Sequence, residues 1–265
     1  MHHVDRSEHE RALSLIVPAH NEAELLPRLL ETVDEARRRY RRGPQTVEVV
    51  VADNGSTDAT ADVARSRGCV VVPVARRCIA SARNGGASAA SGAVLAFVDA
   101  DIRIHPETFN AIDNVLSDRR IVAGATGVQL ERWSLGIAAT YALLMPLVWL
   151  LRMDTGVVFC HRRDFDAVGG YDESVLFGED VRFLFALRRL GRANGRRLTR
   201  LRRVKALASV RKFDAHGDWH YFTLLSRLLP TMLGHSRRTD ELARAYWYDA
   251  RPTRDGAGVP QDDVD

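Results

Sequence analysis

Two carboxylates one residue apart, Asp99 and Asp101, follow the apolar run Leu95-Ala96-Phe97-Val98. Such a run reads as a buried strand, and the carboxyl end of a strand is where open α/β sheets bind ligands. Two close anions repel each other, so the pair calls for a counter-charge. A divalent cation bridging to a phosphate supplies one, because Mg²⁺ is commonly held by one or two carboxylates plus substrate phosphates. An Asp-x-Asp triplet on its own is weak evidence. The elements around it must decide.

Two further acidic groups follow apolar runs. Glu22 comes after Leu13 to Pro18 (LSLIVP), and Asp53 after Val47 to Ala52 (VEVVVA). Both runs suit buried parallel strands. Between them Leu25, Leu26, Leu29, Leu30 and Val33 recur at helical spacing, ending in Arg37 to Arg42 and Gly43-Pro44. That cationic run complements the helix C-terminal dipole. Asp53-Asn54-Gly55-Ser56-Thr57-Asp58 reads as a turn and a capped helix start, with the helix stopped by Gly68. Cys69 to Val74 is a third strand, and Ser81 to Gly86 opens an Ala-rich helix ending near Gly92. Strands alternating with helices predict an α/β fold with a doubly wound, mainly parallel sheet. Acidic strand ends suit hydroxyl and base-edge recognition of a nucleoside, with a metal for its phosphates.

The second half departs from this alternation. Thr126 to Arg132 reads as a strand turning away from the sheet, and Asp154 to Cys160 as another strand. Gly169-Gly170-Tyr171-Asp172 is a turn, and Gly178-Glu179-Asp180 begins a helix through Leu190. Arg196 to Lys212 is basic and strand-like, and a last helix runs roughly Trp219 to Leu233. The tail from Arg251 is polar and rich in Pro and Gly, a composition that favours disorder. The expected division is residues 1–125 for one half of the domain, 126–235 for its other half, and 236–265 for a tail.

The stretch Trp133 to Leu151 carries no charge. A membrane span needs about 20 apolar residues, but Pro146 interrupts this one. A crossing would also put Asp101 and Glu179-Asp180 on opposite sides of a bilayer. A buried helix, a homodimer contact or a lipid-touching surface remains. Net charge is +4 with 46% hydrophobic residues, which fits a soluble domain with a mild preference for anionic ligands or surfaces. Cys69, Cys78 and Cys160 show no metal spacing and read as reduced thiols of a cytoplasmic protein. Residues 1–11 do not read as a signal peptide.

No P-loop, no Gly-x-Gly-x-x-Gly after the first strand and no Gly-x-Ser-x-Gly elbow is present. Three ordered segments instead resemble the signatures of family 2 glycosyltransferases. They are Ile16-Val17-Pro18-Ala19-His20-Asn21-Glu22, Val51 to Asp58, and Asp99-Ala100-Asp101. Val168 to Asp172 and Gly178-Glu179-Asp180 resemble that family's acceptor-side signatures. The resemblance implies the GT-A fold and transfer of a sugar from a nucleotide-diphosphate donor, a UDP- or GDP-sugar, to a hydroxyl acceptor. It implies that Pro18, His20 and Glu22 line the nucleotide cleft and that Asp53 contacts the base or ribose. Arg83 would face the base or the donor phosphates. Asp99 would approach the ribose and the metal, Asp101 would ligate Mg²⁺ or Mn²⁺, and Asp180 would be the general base. Glu179 reads as a structural or acceptor-binding group. A carboxylate at a helix N-terminus is expected to stay ionised at neutral pH, with Val181, Leu184 and Phe185 behind it as anchors.

Three features depart from the commonest family pattern. Asn54 stands where many relatives carry a second aspartate. Arg103 follows the metal pair closely, where it would oppose a cation or pair with a phosphate. No Gln-x-x-Arg-Trp follows Asp180, which favours single addition over polymerisation. His216 and His220 are candidates for a further metal or phosphate contact, with a plain surface role as the alternative. The basic stretch 196–212 suits donor phosphates, an anionic acceptor, anionic lipid or a solvated face, and a nucleic-acid partner is not expected. The uncharged stretch hints at a lipid-linked acceptor and peripheral membrane contact. The rival readings are a non-catalytic nucleotide-sugar-binding scaffold and a nucleotidyltransferase, which would want a Gly-rich basic loop after the first strand.

Overall fold

The computed structural model describes residues 12–136, 138–139, 142, 156–175 and 178–209. Most of the uncharged stretch after Trp133, the helix expected at 219–233, the tail, His216 and His220 lie outside the described residues. Among the described residues no helix is long and apolar enough to cross a membrane.

β1 (Leu13–Ala19) is buried at every position. It pairs in parallel with β2 (Val47–Asp53) and with β4 (Val94–Phe97), and β2 pairs in parallel with β3 (Val70–Pro73). Strands covered on both faces need apolar residues at successive positions, which is why LSLIVP and VEVVVA read as continuous runs. The remaining strands are β5 (Ile102–Arg103), β6 (Ile121–Leu130), β7 (Val158–His161) and β8 (Arg197–Ala208). The eight strands form one sheet in the order β3-β2-β1-β4-β7-β6-β8-β5. β7 is antiparallel to both β4 and β6, so the sheet is parallel through its first four strands and mixed beyond them.

Helices cover both faces. On one side α1 (Leu26–Arg39), α2 (Thr60–Ser66) and α4 (Thr108–Leu116) pack Leu29, Leu30, Val33, Ala64, Phe109 and Ile112 against Leu13, Leu15 and Val17. On the other, α3 (Ile79–Ala89), α5 (Arg162–Val168) and α6 (Glu179–Ala193) pack against Ile16, Val50, Leu95 and Phe97. The alternation continues past the end of β4. Ala96, Val98, Ala100 and Ile102 face the α1 side, and Leu95 and Phe97 face the α3 side. Asp99 emerges on the face that carries α3 and α6, where it meets Arg83.

Two expectations are corrected. β6 does not turn away from the sheet at Thr126; it starts at Ile121 and runs between β7 and β8. The irregularity at Thr126 is a bulge, where the register with β8 jumps from Leu201 to Lys205 and leaves Arg202, Arg203 and Val204 without ladder partners. β7 begins at Val158, later than expected, because the segment pairs with β4 only from Phe97 onward.

Candidate active site

Three loops at the carboxyl ends of β1, β2 and β4 lie side by side. The β1 and β2 loops are stitched together by bonds from main-chain N–H groups to side-chain oxygens. Asn21 adopts the left-handed region, φ +52°, which asparagine tolerates better than most residues. Its Oδ1 accepts from Thr57 N at 2.8 Å, and its N donates to Ser56 Oγ at 3.0 Å. Glu22 N donates to Thr60 Oγ1 at 2.8 Å, and Ala23 N to Asp58 Oδ2 at 3.1 Å. Asp53 Oδ1 accepts from Ser56 N at 3.0 Å, so it shapes its own turn. Pro18 and Glu22 are buried, and His20 is half-buried with Nε2 2.5 Å from Arg77 Nη2. Val98 N donates to Ile16 O at 3.1 Å, which sets the exit of β4 beside these loops.

The densest polar contact of the fold lies on the α3 side. Arg83, only 3% exposed, donates from Nη2 to Asp99 Oδ1 at 2.8 Å and from Nη1 to Glu179 Oε1 at 2.6 Å. The same Nη1 lies 3.0 Å from Asp180 Oδ1. The guanidinium also sits over the ring of Tyr171, 5.1 Å from its centroid. Arg83 gets this deep because α3 packs closely on the sheet: a Cβ on Gly86 would stand 2.5 Å from Ile16 Cγ2. Glu179 and Asp180 occupy the first turn of α6, after Gly178 in the left-handed region at φ +75°.

Burial raises the pKa of Asp180 to about 7; Arg83 opposes that shift, and the neighbouring Asp99 and Glu179 add to it. The expectation of a carboxylate kept fully ionised by the helix dipole is therefore corrected, because desolvation outweighs the dipole here. The anchors behind the pair are corrected too. Phe183 and Leu184 are buried, whereas Phe185 is 43% exposed. Phe183 stacks on Tyr171 at 4.1 Å, and Phe97 meets Tyr171 edge-on at 5.1 Å, giving the carboxylates an aromatic floor.

The structure thus brings Arg83, Asp99, Glu179 and Asp180 into one cluster, and Pro18, His20, Glu22 and Asp53 into one pair of loops. Asp101 follows in the turn before β5, half-buried, with its carbonyl accepting from Ser209 N at 3.3 Å. Arg83, expected to face the base or the donor phosphates, pairs here with Asp99, Glu179 and Asp180. Asn84, beside it, is a residue the sequence reading did not single out. Its Oδ1 accepts from Tyr171 N at 2.8 Å, and its Nδ2 donates to Tyr171 O and Glu173 Oε1, each at 2.9 Å. Gly170, at φ +72°, leaves room for that amide, since a Cβ there would lie 2.7 Å from Asn84 Oδ1. Asn84 directly follows Arg83, and that adjacency was the available signal.

Residues 14–135 match the family model described as Glycosyl transferase family 2. Over those residues, slightly under half of the chain, the sequence is similar to that family. Validoxylamine A glucosyltransferase of Streptomyces hygroscopicus subsp. limoneus is 38% identical over 111 residues, which are 39% of this chain and 23% of that enzyme. The match thus takes in about a quarter of that relative's length. Among solved structures, the mannosyltransferase PcManGT of Pyrobaculum calidifontis in complex with GDP-Man and Mn²⁺ superposes with a TM-score of 0.62 at 22% identity, covering 88% of this chain and 69% of that one. Glucosyl-3-phosphoglycerate synthase of Mycobacterium tuberculosis, in complex with Mn²⁺, UDP and glucosyl-3-phosphoglycerate, gives 0.53 at 22% identity, covering 82% and 80%. These likenesses establish the GT-A fold.

Against the family 2 pattern, the two substitutions at the site have local explanations. Asn54 is buried, and its Nδ2 donates to Val74 O at 3.0 Å and Arg76 O at 2.6 Å while Oδ1 accepts from Cys78 N at 3.0 Å. An ionised aspartate has no proton to give those carbonyls. Arg103 Nη2 donates to Glu131 Oε1 at 2.7 Å, so its charge is neutralised locally. Among the described residues no group of three metal-ligating side chains occurs. Asp99 and Asp101 are two oxygen-donor residues that follow β4 one residue apart, a set that fits Mg²⁺ or Mn²⁺ completed by the phosphates of a substrate.

Proposed function

We propose that this chain transfers a sugar from a nucleoside-diphosphate donor to a hydroxyl acceptor, with inversion at the anomeric carbon and with a divalent cation at Asp99 and Asp101. The observation that carries the reading is Asp180: a half-buried carboxyl at a helix start, with its pKa near neutrality, joined through Arg83 to the strand end that bears Asp99. A general base works best when its pKa lies near the operating pH. PcManGT carries GDP-Man and the synthase carries UDP, both with Mn²⁺, which supports a nucleotide-sugar donor and a cation here.

In this reading Pro18, His20, Glu22 and Asp53 hold the nucleoside in the cleft of the β1 and β2 loops. Residues 1–125 form the donor half, and 126–235 the acceptor half. The cation, when bound, acts as a Lewis acid that stabilises charge on the leaving diphosphate. Asp180 takes the proton of the acceptor hydroxyl as that oxygen's electron pair forms a bond to the anomeric carbon. The bond from that carbon to the diphosphate oxygen breaks, and its electron pair leaves with the diphosphate. Attack on the face opposite the leaving group inverts the centre.

The test is donor hydrolysis and thermal shift across UDP-, GDP- and dTDP-sugars with Mg²⁺ and with Mn²⁺. One donor class should both stabilise the protein and release nucleoside diphosphate slowly. Neither response to any donor would overturn the reading.

A further inference from the structure

The geometry points to Arg83 as a positioning residue: a buried brace that holds the acceptor-side base, Asp180, at a fixed separation from the donor-side Asp99. This rests on the reading of Asp180 as the base, and it replaces the expectation that Arg83 contacts the donor.

Arg83 is 3% exposed, and both terminal nitrogens are committed to carboxylates at 2.6–3.0 Å. Its remaining N–H, on Nε, is buried and has no hydrogen-bond partner, so it is out of a ligand's reach as well. A donor phosphate would have to displace Asp99 or the acidic pair to meet this guanidinium. The carboxylates it joins come from different parts of the fold: Asp99 follows β4, whereas Glu179 and Asp180 open α6. Asp99 remains 40% exposed at its side chain, open toward the cleft, while Asp180 is 18% exposed. A planar fork with fixed N–H directions can define the spacing of three acceptors. A lysine ammonium carries the same charge on a flexible stem and cannot hold all three in place. Tyr171 beneath the guanidinium, itself fixed by Asn84, keeps the fork from sliding.

The experiment compares Arg83→Lys with the wild type. The readouts are donor KM, kcat, and the calorimetric Kd of the donor nucleotide in the presence of Mn²⁺. Misplacing a reacting group by about 1 Å costs about a hundredfold in rate. The expected result is therefore a kcat lower by about a hundredfold, with donor Kd and KM within about threefold of wild type. A rise in donor Kd and KM with kcat unchanged makes Arg83 a donor contact and overturns the proposal. Unchanged kinetics with only a lower melting temperature makes it a structural ion pair and overturns it as well. If Arg83→Lys does not fold, the double variant Arg83→Met/Glu179→Gln removes one buried anion together with the cation, and the same split is required of it. Asp180→Asn, assayed alongside, separates the two readings. Full turnover in that variant removes the base assignment itself, whatever Arg83→Lys does.

Discussion

Arg83 Nη1 lies 3.0 Å from Asp180 Oδ1, yet the pKa of that carboxyl is raised to about 7. The guanidinium favours the anion, but burial and two neighbouring carboxylates oppose it and win. A base must be deprotonated to act. The kcat/KM of transfer should therefore fall tenfold per pH unit below about 7, as Asp180 gains its proton. A pH–rate profile checks this. A rate still level at pH 5 would contradict it.

The same shift has a consequence for stability. The folded pKa is about 7 and the ordinary value is 3.8, so between these limits the folded state binds more protons than the unfolded one. Stability then falls as pH rises through that window. Asp180→Asn removes the ionisation. It should stabilise the protein by roughly 1–3 kcal/mol at pH 8, the shift in pKa being discounted for relaxation of the site. The gain should shrink toward pH 4, where the wild-type carboxyl is already neutral in the fold. Melting curves of both proteins across this range decide it, and an advantage that grew on acidification would be the wrong sign.

Much of this was legible in the chain. The runs LSLIVP and VEVVVA, and the strand before Asp99, announced themselves because a strand buried on both faces must be apolar throughout. Their order with the helices gave the parallel half of the sheet. The site was harder to read, because its chemistry depends on burial, which spacing does not report. The carboxyl of Asp180 looks the same in sequence at a wet helix start as at a dry one, so its raised pKa was missed. The ion pairs of Arg83 are hidden for the same reason: nothing local to Ser81-Ala82-Arg83-Asn84 shows that two carboxylates from α6 meet it. Phe185, expected as an anchor, is exposed while Phe183 is buried, because the phase of α6 depends on where Gly178 starts the helix.

At the proposed metal pair the expectation concerns Asp101. Asp99 is shared with Arg83, and Asp101 follows it in the next turn, half-buried, as the second oxygen donor proposed for a divalent ion held against phosphates. Asp101→Ala should abolish transfer and remove the Mn²⁺-dependent part of nucleotide binding, while metal-free nucleotide binding at the β1 and β2 loops persists. Calorimetric titration of the nucleotide with and without Mn²⁺ measures both. Wild-type metal dependence in the variant would take the cation away from Asp101.

Asn54 supplies a test of why this chain departs from the more common paired aspartates. Its amide nitrogen feeds the carbonyls of Val74 and Arg76, and its oxygen takes Cys78 N, so one side chain closes the loop between β3 and α3. Asn54→Asp would aim an anion at two carbonyl oxygens in a buried position. The cost should be about 2–4 kcal/mol at pH 8, from a lost pair of donors and a desolvated charge. A protonated aspartic acid can restore one of the two bonds, so the deficit should lessen as the buffer is made acidic. That loop also carries Arg77, which meets His20, a residue proposed to line the nucleoside cleft. Donor KM should therefore rise with the loss of stability, whereas kcat, which the proposal assigns to Asp180, should change little. Urea unfolding at pH 5 and pH 8, together with donor KM, would reveal the pattern. A variant as stable as wild type at pH 8 would mean that this loop does not depend on the amide.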